Sequence, residues 1–329
     1  MHCMKVFVTR RITSEGVRLM EEKGISVTQW LEKRELSEEE LISNCKRHDA
    51  LVVAGPAKLG AHFLNECRHL KVIAIHGVGY DHVDIAEATR LKIPVGNTPG
   101  VVNQSTADTA FLLMLAVSKK AIYNHKRILN GEWNFFDPAV NLGVELKGKT
   151  LGVFGLGGIG TELARLCRAA YKMKIIYCNR HVNQKAETDL AAVKVSFDDL
   201  LAQSDVVSVH SVLSDETREI FNRDAFLKMK PGSIFINTAR GGIHNEADLI
   251  EALRNRTIWG AGLDVTNPEP MSPDNPLLNM EYATILPHIG TSTEETRLKM
   301  VTRLAENVIA ASEGKQIPYP VNPEVYEKE

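Results

Sequence analysis

The chain has 329 residues, 44% hydrophobic and 24% charged, which excludes disordered, collagenous and disulfide-scaffold proteins and leaves room for two domains. Its 39 basic and 41 acidic side chains give a formal charge of −2, so composition marks neither a nucleic-acid nor an anionic-membrane partner. No apolar run reaches the roughly 18 residues that a membrane-spanning helix needs. The longest, Ala110 to Val117, is closed by Lys119 and Lys120 and reads as a buried helix. The first residues lack the apolar core of a signal peptide, and Glu327-Lys328-Glu329 is no peroxisomal address. Five cysteines (Cys3, Cys45, Cys67, Cys167, Cys178) without a C-x-x-C pair fit reduced thiols in a cytosolic protein, with no metal site.

From the N-terminus, short Val- and Ile-rich runs at Lys5–Thr9, Ile25–Trp30, Ala50–Ala54 and Lys71–Ile75 read as strands. Amphipathic stretches Ser14–Lys23, Glu38–His48 and Ala61–Arg68 read as helices between them, and Ser37 with Glu40 has capping-box spacing. A long apolar helix is expected over Val101–Lys120. A second alternating series follows, with strands at Thr150–Phe154, Lys174–Cys178, Val193–Val195, Val206–His210, Ser233–Asn237 and Trp259–Asp264. Thr161–Tyr171 and Glu246–Asn255 are helices within it, and Thr293–Glu313 is a helix after it. Such alternation predicts an α/β fold of two doubly wound parallel-sheet domains. A Rossmann-type nucleotide domain (99–288) is inserted into a flavodoxin-like substrate domain (1–98 and 289–329), and a cleft between them is the expected ligand site.

Gly155-Leu156-Gly157-Gly158-Ile159-Gly160 matches G-x-G-x-x-G, a weak signal alone. Here it follows an apolar strand and opens an amphipathic helix, the context a dinucleotide loop requires. Its glycines allow the tight turn, the approach of a pyrophosphate and close helix packing, while the helix N-terminus faces the phosphates. About twenty residues on, where Asp or Glu would bind the adenine ribose hydroxyls, the chain reads Asn179-Arg180-His181. A missing acid and a present Arg favour NADP(H), with NAD(H) as the second choice, because guanidinium pairs with a 2′-phosphate. The alternative is that Arg180 is a solvated loop charge.

Three segments lie at the ends of late strands. These are Asn237-Thr238-Ala239-Arg240-Gly241-Gly242, Gly262-Leu263-Asp264-Val265 with Pro268-Glu269-Pro270, and Ile285-Leu286-Pro287-His288-Ile289-Gly290. Singly, each has an ordinary structural role open to it. Beside a nicotinamide they supply the parts of carbonyl reduction: Arg240 to hold a carboxylate and polarise a carbonyl, His288 to donate a proton, and Glu269 to orient the imidazole.

In this order the segments resemble the D-2-hydroxyacid dehydrogenase family, and most closely its glyoxylate/hydroxypyruvate reductases and 2-ketogluconate reductase-like members. The resemblance runs from Met4-Lys5-Val6-Phe7-Val8-Thr9 onward. It implies reduction of small 2-keto acids (glyoxylate, hydroxypyruvate, or a larger 2-ketogluconate) to D-2-hydroxy acids by hydride from NADPH. Arg240 and the Val78 and Gly79 amides would bind the keto acid, His288 would be the general acid, and Glu269 would keep it protonated. Thr106, Val212, Thr238, Ala239, Asp264 and Gly290 would line the cofactor with the glycine loop. Family members dimerise through the apolar helix at Ala110–Val117, which implies a homodimer.

Departures from the family are Ser105-Thr106-Ala107-Asp108, where many relatives have Glu, and Val212, where Ser or Pro is commoner. Trp133-Asn134-Phe135-Phe136-Asp137-Pro138-Ala139-Val140 also lacks two tryptophans of the mammalian-type reductases. Phe136 and Val140 either enlarge the pocket or only pack the dimer. A dinucleotide-sensing corepressor of the same fold is the competing class, opposed by the absence of a basic patch and by the NADP-like loop. Formate dehydrogenases carry Gln at the Glu269 position, and phosphoglycerate dehydrogenases usually carry the ribose-binding Asp, so both fit less well.

Overall fold

In the first unit, residues of opposite parity along each short strand meet opposite layers of helix. The strands are β1 (Lys5–Val8), β2 (Ser26–Gln29), β3 (Ala50–Val53), β4 (Ile73–Ile75) and β5 (Val95–Gly96). They are all parallel in the order β2-β1-β3-β4-β5. Phe7, Leu51 and Ile73 point to α2 (Glu38–Cys45) and α3 (Ala61–Glu66), where they bury Leu41, Phe63 and Leu64. Val6, Val8, Val52 and Ala74 point the other way, with Met20 of α1 (Ser14–Glu21). Each such side chain taken out of water contributes about 1.5–3 kcal/mol. Ser37 and Glu40 form the expected capping box on α2.

The computed structural model describes residues 3–327. The expectations for the two ends of the chain rest partly on Met1, His2, Lys328 and Glu329, which lie outside the described residues. Two units separate: residues 1–102 with 292–329, and residues 103–291.

The second unit opens with α5 (Asn103–Ser118) and α6 (Ala121–Leu129). The expected single helix to Lys120 stops earlier because Lys120 turns left-handed, at φ 51°. It is itself buried, its ammonium paired with Glu281 at 2.9 Å. Then follow β6 (Thr150–Phe154), α7 (Gly158–Tyr171), β7 (Lys174–Cys178), α8 (Gln184–Leu190), β8 (Val193–Lys194), α9 (Phe197–Gln203), β9 (Val206–Val209), α10 (Arg223–Lys228), β10 (Ile234–Asn237), α11 (Glu246–Arg254), β11 (Gly260–Leu263) and β12 (Ala283–Ile285). The sheet is parallel throughout, in the order β12-β11-β10-β9-β6-β7-β8. Strand order reverses between β6 and β9, the place where doubly wound sheets take their ligands. α5 and α7 cover one face through Leu113, Leu163 and Cys167, and α9 to α11 cover the other through Leu200, Phe226 and Leu249.

The sheet has seven strands, not six. β12 and, in the first unit, β5 and α4 (Ile85–Arg90) are too short to carry a period in sequence; the two strands exist through pairing with β11 and β4. Trp259, read as strand, lies outside β11, its ring edge-on to Tyr282 at 4.9 Å. The last helix, α12 (Glu294–Ser312), returns to the first unit and buries Val301, Leu304 and Val308 against Val6, Val8 and Val52.

Candidate active site

At the end of β6 the chain turns through Gly155 at φ +98°. A Cβ there would stand 2.6 Å from the Ser211 backbone nitrogen, so the β6–α7 turn and the end of β9 touch only because the residue is glycine. A Cβ on Gly160 would stand 2.7 Å from the Gly155 oxygen and 2.8 Å from Val153, which fixes helix against strand. At Gly157, by contrast, a Cβ would meet nothing within 4 Å. The loop is packed at its first and last glycines and open at the middle one, as a diphosphate cradle on a helix N-terminus must be. Asn103, which carries no sequence signal, lies against Gly158: a Cβ there would be 2.5 Å from its amide nitrogen.

Asn179 serves this loop. Its Oδ1 accepts the Leu156 N–H at 2.6 Å and its Nδ2 donates to the Leu156 oxygen at 3.3 Å, with Asn183 donating to the same oxygen at 2.9 Å. Arg180 and His181 are exposed. Val212 is exposed too, its carbonyl held by the Thr217 hydroxyl at 2.7 Å. The buried Thr238 hydroxyl and Ser211 Oγ have no hydrogen-bond partner among the described residues, which leaves them for a ligand beside the loop. These residues fit a bound dinucleotide.

Past β10, Asn237 builds the turn that carries Arg240. Its Oδ1 accepts the Ala239 N–H at 2.9 Å, and its Nδ2 donates to the Arg240 carbonyl at 2.9 Å and lies 3.0 Å from His244 Nδ1. Burial pushes the His244 pKa down to about 4, so the ring is neutral. A Cβ on Gly241 would fall 1.9 Å from the Thr266 oxygen, which seats the Arg240 turn on the segment leading to Glu269.

Glu269 and His288 meet, with Nδ1 2.5 Å from Oε1 and both side chains about half exposed. His288 stands at φ +55°, unusual for a side chain with a Cβ. Asp264, 1% exposed, holds that backbone: its two oxygens accept the Ile289 and Gly290 N–H groups at 2.8 and 2.7 Å. Burial raises its pKa, and these two bonds oppose the rise. The Thr106 hydroxyl donates to the Gly290 carbonyl at 3.2 Å. In this structure Asp264 therefore positions the His288 loop.

Within the first unit, the loop after β4 turns its carbonyls inward. Gly77 accepts from the Thr98 N–H at 2.9 Å and Val78 from Asn97 Nδ2 at 2.8 Å. The Val78 and Gly79 N–H groups have no acceptor among the described residues. The guanidinium of Arg297 on α12, half-buried, donates among the described residues to Ser292 Oγ alone, at 3.1 Å. No carboxylate pairs with it among the described residues, and burial lowers its pKa. Its charge also reaches His76, whose pKa burial drives down to about 4. Sequence reasoning missed Arg297, since an Arg on an amphipathic helix looks like any solvated charge.

Residues 111–290 match the family described as D-isomer specific 2-hydroxyacid dehydrogenase, NAD binding domain. The chain belongs to the D-isomer specific 2-hydroxyacid dehydrogenase family. It is 37% identical over 325 residues to a glyoxylate reductase of Aeropyrum pernix, covering 98% of this chain and 96% of that protein. Among solved structures it resembles the TT0316 protein of Thermus thermophilus, at 36% identity and TM-score 0.88 over 97% of this chain and 100% of that one. It also resembles an NADPH-dependent glyoxylate/hydroxypyruvate reductase of Sinorhizobium meliloti solved with NADP and malonate, at 26% identity and TM-score 0.87 over 100% of this chain and 99% of that one. An oxidoreductase of this family, the chain carries an NAD(P)-binding domain of Rossmann type. No helix among the described residues is long and apolar enough to cross a membrane.

Proposed function

We propose that this dehydrogenase reduces glyoxylate and hydroxypyruvate to D-2-hydroxy acids, with NADPH preferred over NADH. The observation that carries the reading is the Glu269–His288 contact at 2.5 Å, held by Asp264 in the unit that bears the glycine loop. The reductase names of the A. pernix and S. meliloti relatives support it.

The dinucleotide, when bound, supplies the hydride; Gly155 to Gly160 would hold its phosphates, and Thr106, Val212, Thr238, Ala239, Asp264 and Gly290 would line its remainder. The protonated His288 donates from both nitrogens, Nδ1 to Glu269 and Nε2 to the keto oxygen, and gives that Nε2 proton as the alkoxide forms. Glu269 fixes the ring and balances its charge. Arg240 binds the carboxylate and keto oxygens, its planar donors matching both. The Val78 and Gly79 amides take the carboxylate, with Arg297, which has no carboxylate partner among the described residues, as a further positive charge in the first unit. Arg180 meets the 2′-phosphate.

A homodimer goes with this reading. Leu112 on α5, Ile128 and Leu129 on α6, and the Trp133, Phe135, Phe136 and Val140 side chains beyond it are all exposed, the kind of apolar surface that a partner subunit covers. Phe136 belongs to that interface. The five cysteines are all free, three of them buried, which favours the cytosol.

Absorbance at 340 nm tests the activity, with NADPH or NADH and glyoxylate, hydroxypyruvate or 2-ketogluconate in turn. Fast NADPH oxidation with the two small acids is expected. Turnover only of the sugar acid would replace the substrate assignment, and cofactor binding with no turnover would overturn the reductase reading.

A further inference from the structure

In NAD-binding sheets of this type, the acid at the end of the second strand accepts the ribose hydroxyls. At that position in this chain Asn179 has both amide atoms committed to Leu156. Reading of the adenine ribose falls to what stands beside it. Among the described residues the Arg180 guanidinium faces one carboxylate, Glu216, at 3.6 Å, with the two side chains 70% and 76% exposed.

Glu216 comes from the segment after β9, across the point of strand-order reversal. The turn that carries it is closed by its own bonds: Ser214 N–H to Thr217 Oγ1 at 2.8 Å, Thr217 N–H to the Ser214 oxygen at 3.1 Å, and the Thr217 hydroxyl to the Val212 oxygen at 2.7 Å. The carboxylate is thus presented on a braced turn beside Arg180.

We propose that Glu216 and Arg180 form a two-way cofactor selector. Glu216 provides, from the β9 side, the carboxylate that the end of β7 lacks. Toward NADH it accepts a hydrogen bond from a ribose hydroxyl. Toward NADPH it opposes the 2′-phosphate, which must part Arg180 from Glu216 and bind the freed guanidinium. Glu216 thereby narrows a preference for NADPH that Arg180 alone would make steep. The inference rests on the reading of Arg180 as the phosphate partner.

Binding, not turnover, tests it. Dissociation constants of NADPH and NADH are read from nicotinamide fluorescence, and those of 2′,5′-ADP and 5′-AMP by calorimetry, for the parent, Glu216→Gln, Glu216→Ala and Arg180→Gln. Removing the carboxylate should tighten NADPH and 2′,5′-ADP about two- to fivefold, the size of an exposed charge interaction, and weaken NADH by about twofold. The gain should shrink as salt rises. It should shrink, to what direct repulsion of the phosphate contributes, when Glu216→Gln is measured in the Arg180→Gln background. Parallel shifts for both cofactors, or an unaltered ratio in both Glu216 variants, would overturn the selector. If instead Arg180→Gln by itself leaves NADPH affinity intact, the phosphate reading of Arg180 is what fails, and the selector with it.

Discussion

Replacing Asp264 by Asn should separate placement of the His288 loop from stability of the fold. The carboxylate is buried, with its two oxygens on the Ile289 and Gly290 N–H groups at 2.8 and 2.7 Å. An amide of the same shape sets an NH2 donor against one of those donors. The loss is one hydrogen bond to a charged group, about 1.5–3 kcal/mol, plus an unmet buried donor worth about 1–3 kcal/mol. Against this stands the burial of the charge, which raises the Asp264 pKa more than the two bonds lower it. With its pKa raised, the folded chain holds this proton more tightly than the unfolded chain does. The resulting stabilisation is fully present below the unfolded value and is lost as pH rises through the folded one. At neutral pH the ionised group is therefore a net cost that the amide removes. The two effects offset, so Tm should fall by only a few degrees, at about 2–4 °C per kcal/mol for a domain of this size. The loop, however, loses its anchor, and a displacement of about 1 Å at His288 costs about 100-fold in rate. Steady-state kcat with calorimetric Tm decides the matter. A kcat within twofold of the parent would refute the anchoring role. A fall in Tm of more than about 10 °C would show that Asp264 serves the fold as a whole.

Other perturbations have equally definite outcomes. His288→Gln should bind NADPH normally while reduction drops about 10²–10⁴-fold, as measured by fluorescence titration and single turnover; a smaller loss removes His288 as the proton donor. Arg297→Met should raise KM for the keto acid about tenfold or more, from the loss of a charged hydrogen bond, with kcat affected less. An unaltered KM would return Arg297 to a structural role. Burial drives the pKa values of His76, His210 and His244 down to about 4. The stability each contributes is present above the unfolded value near 6.5 and lost as pH falls toward about 4, by at most about 1.4 kcal/mol for every step of one in pH. Tm should thus decline across that window, and His244→Gln should flatten the decline; an identical slope would count against a buried neutral ring at 244.

The strand–helix alternation, the glycine loop and the order of the Arg240, Glu269 and His288 segments are legible in the linear chain. Each rests on local chemistry: period-two apolar runs, the absence of a Cβ, and side-chain types placed just after apolar strands. The resemblance of those segments to one family reaches the same fold. Element ends are less legible. α5 stops two residues short of the expected end because Lys120 finds Glu281, some 160 positions away in the chain, and leaves the helix. No local pattern encodes that partner.

Tertiary structure alone decided the finer assignments. Asn179 stands in sequence where a ribose-binding acid would be, and only folding shows its amide committed to Leu156. Asp264, read as a cofactor contact, also anchors Ile289 and Gly290, a role that shows only when burial leaves those backbone donors as its partners. Arg297 looks like a surface charge until the fold half-buries it with no carboxylate partner among the described residues, and Glu216 is one more loop acid until the segment after β9 brings it beside Arg180. Sequence determines which groups exist and what local conformations they favour. Their surroundings, and so their charge, hydrogen bonding and role, depend on contacts between residues far apart in the chain, set only when the sheets assemble.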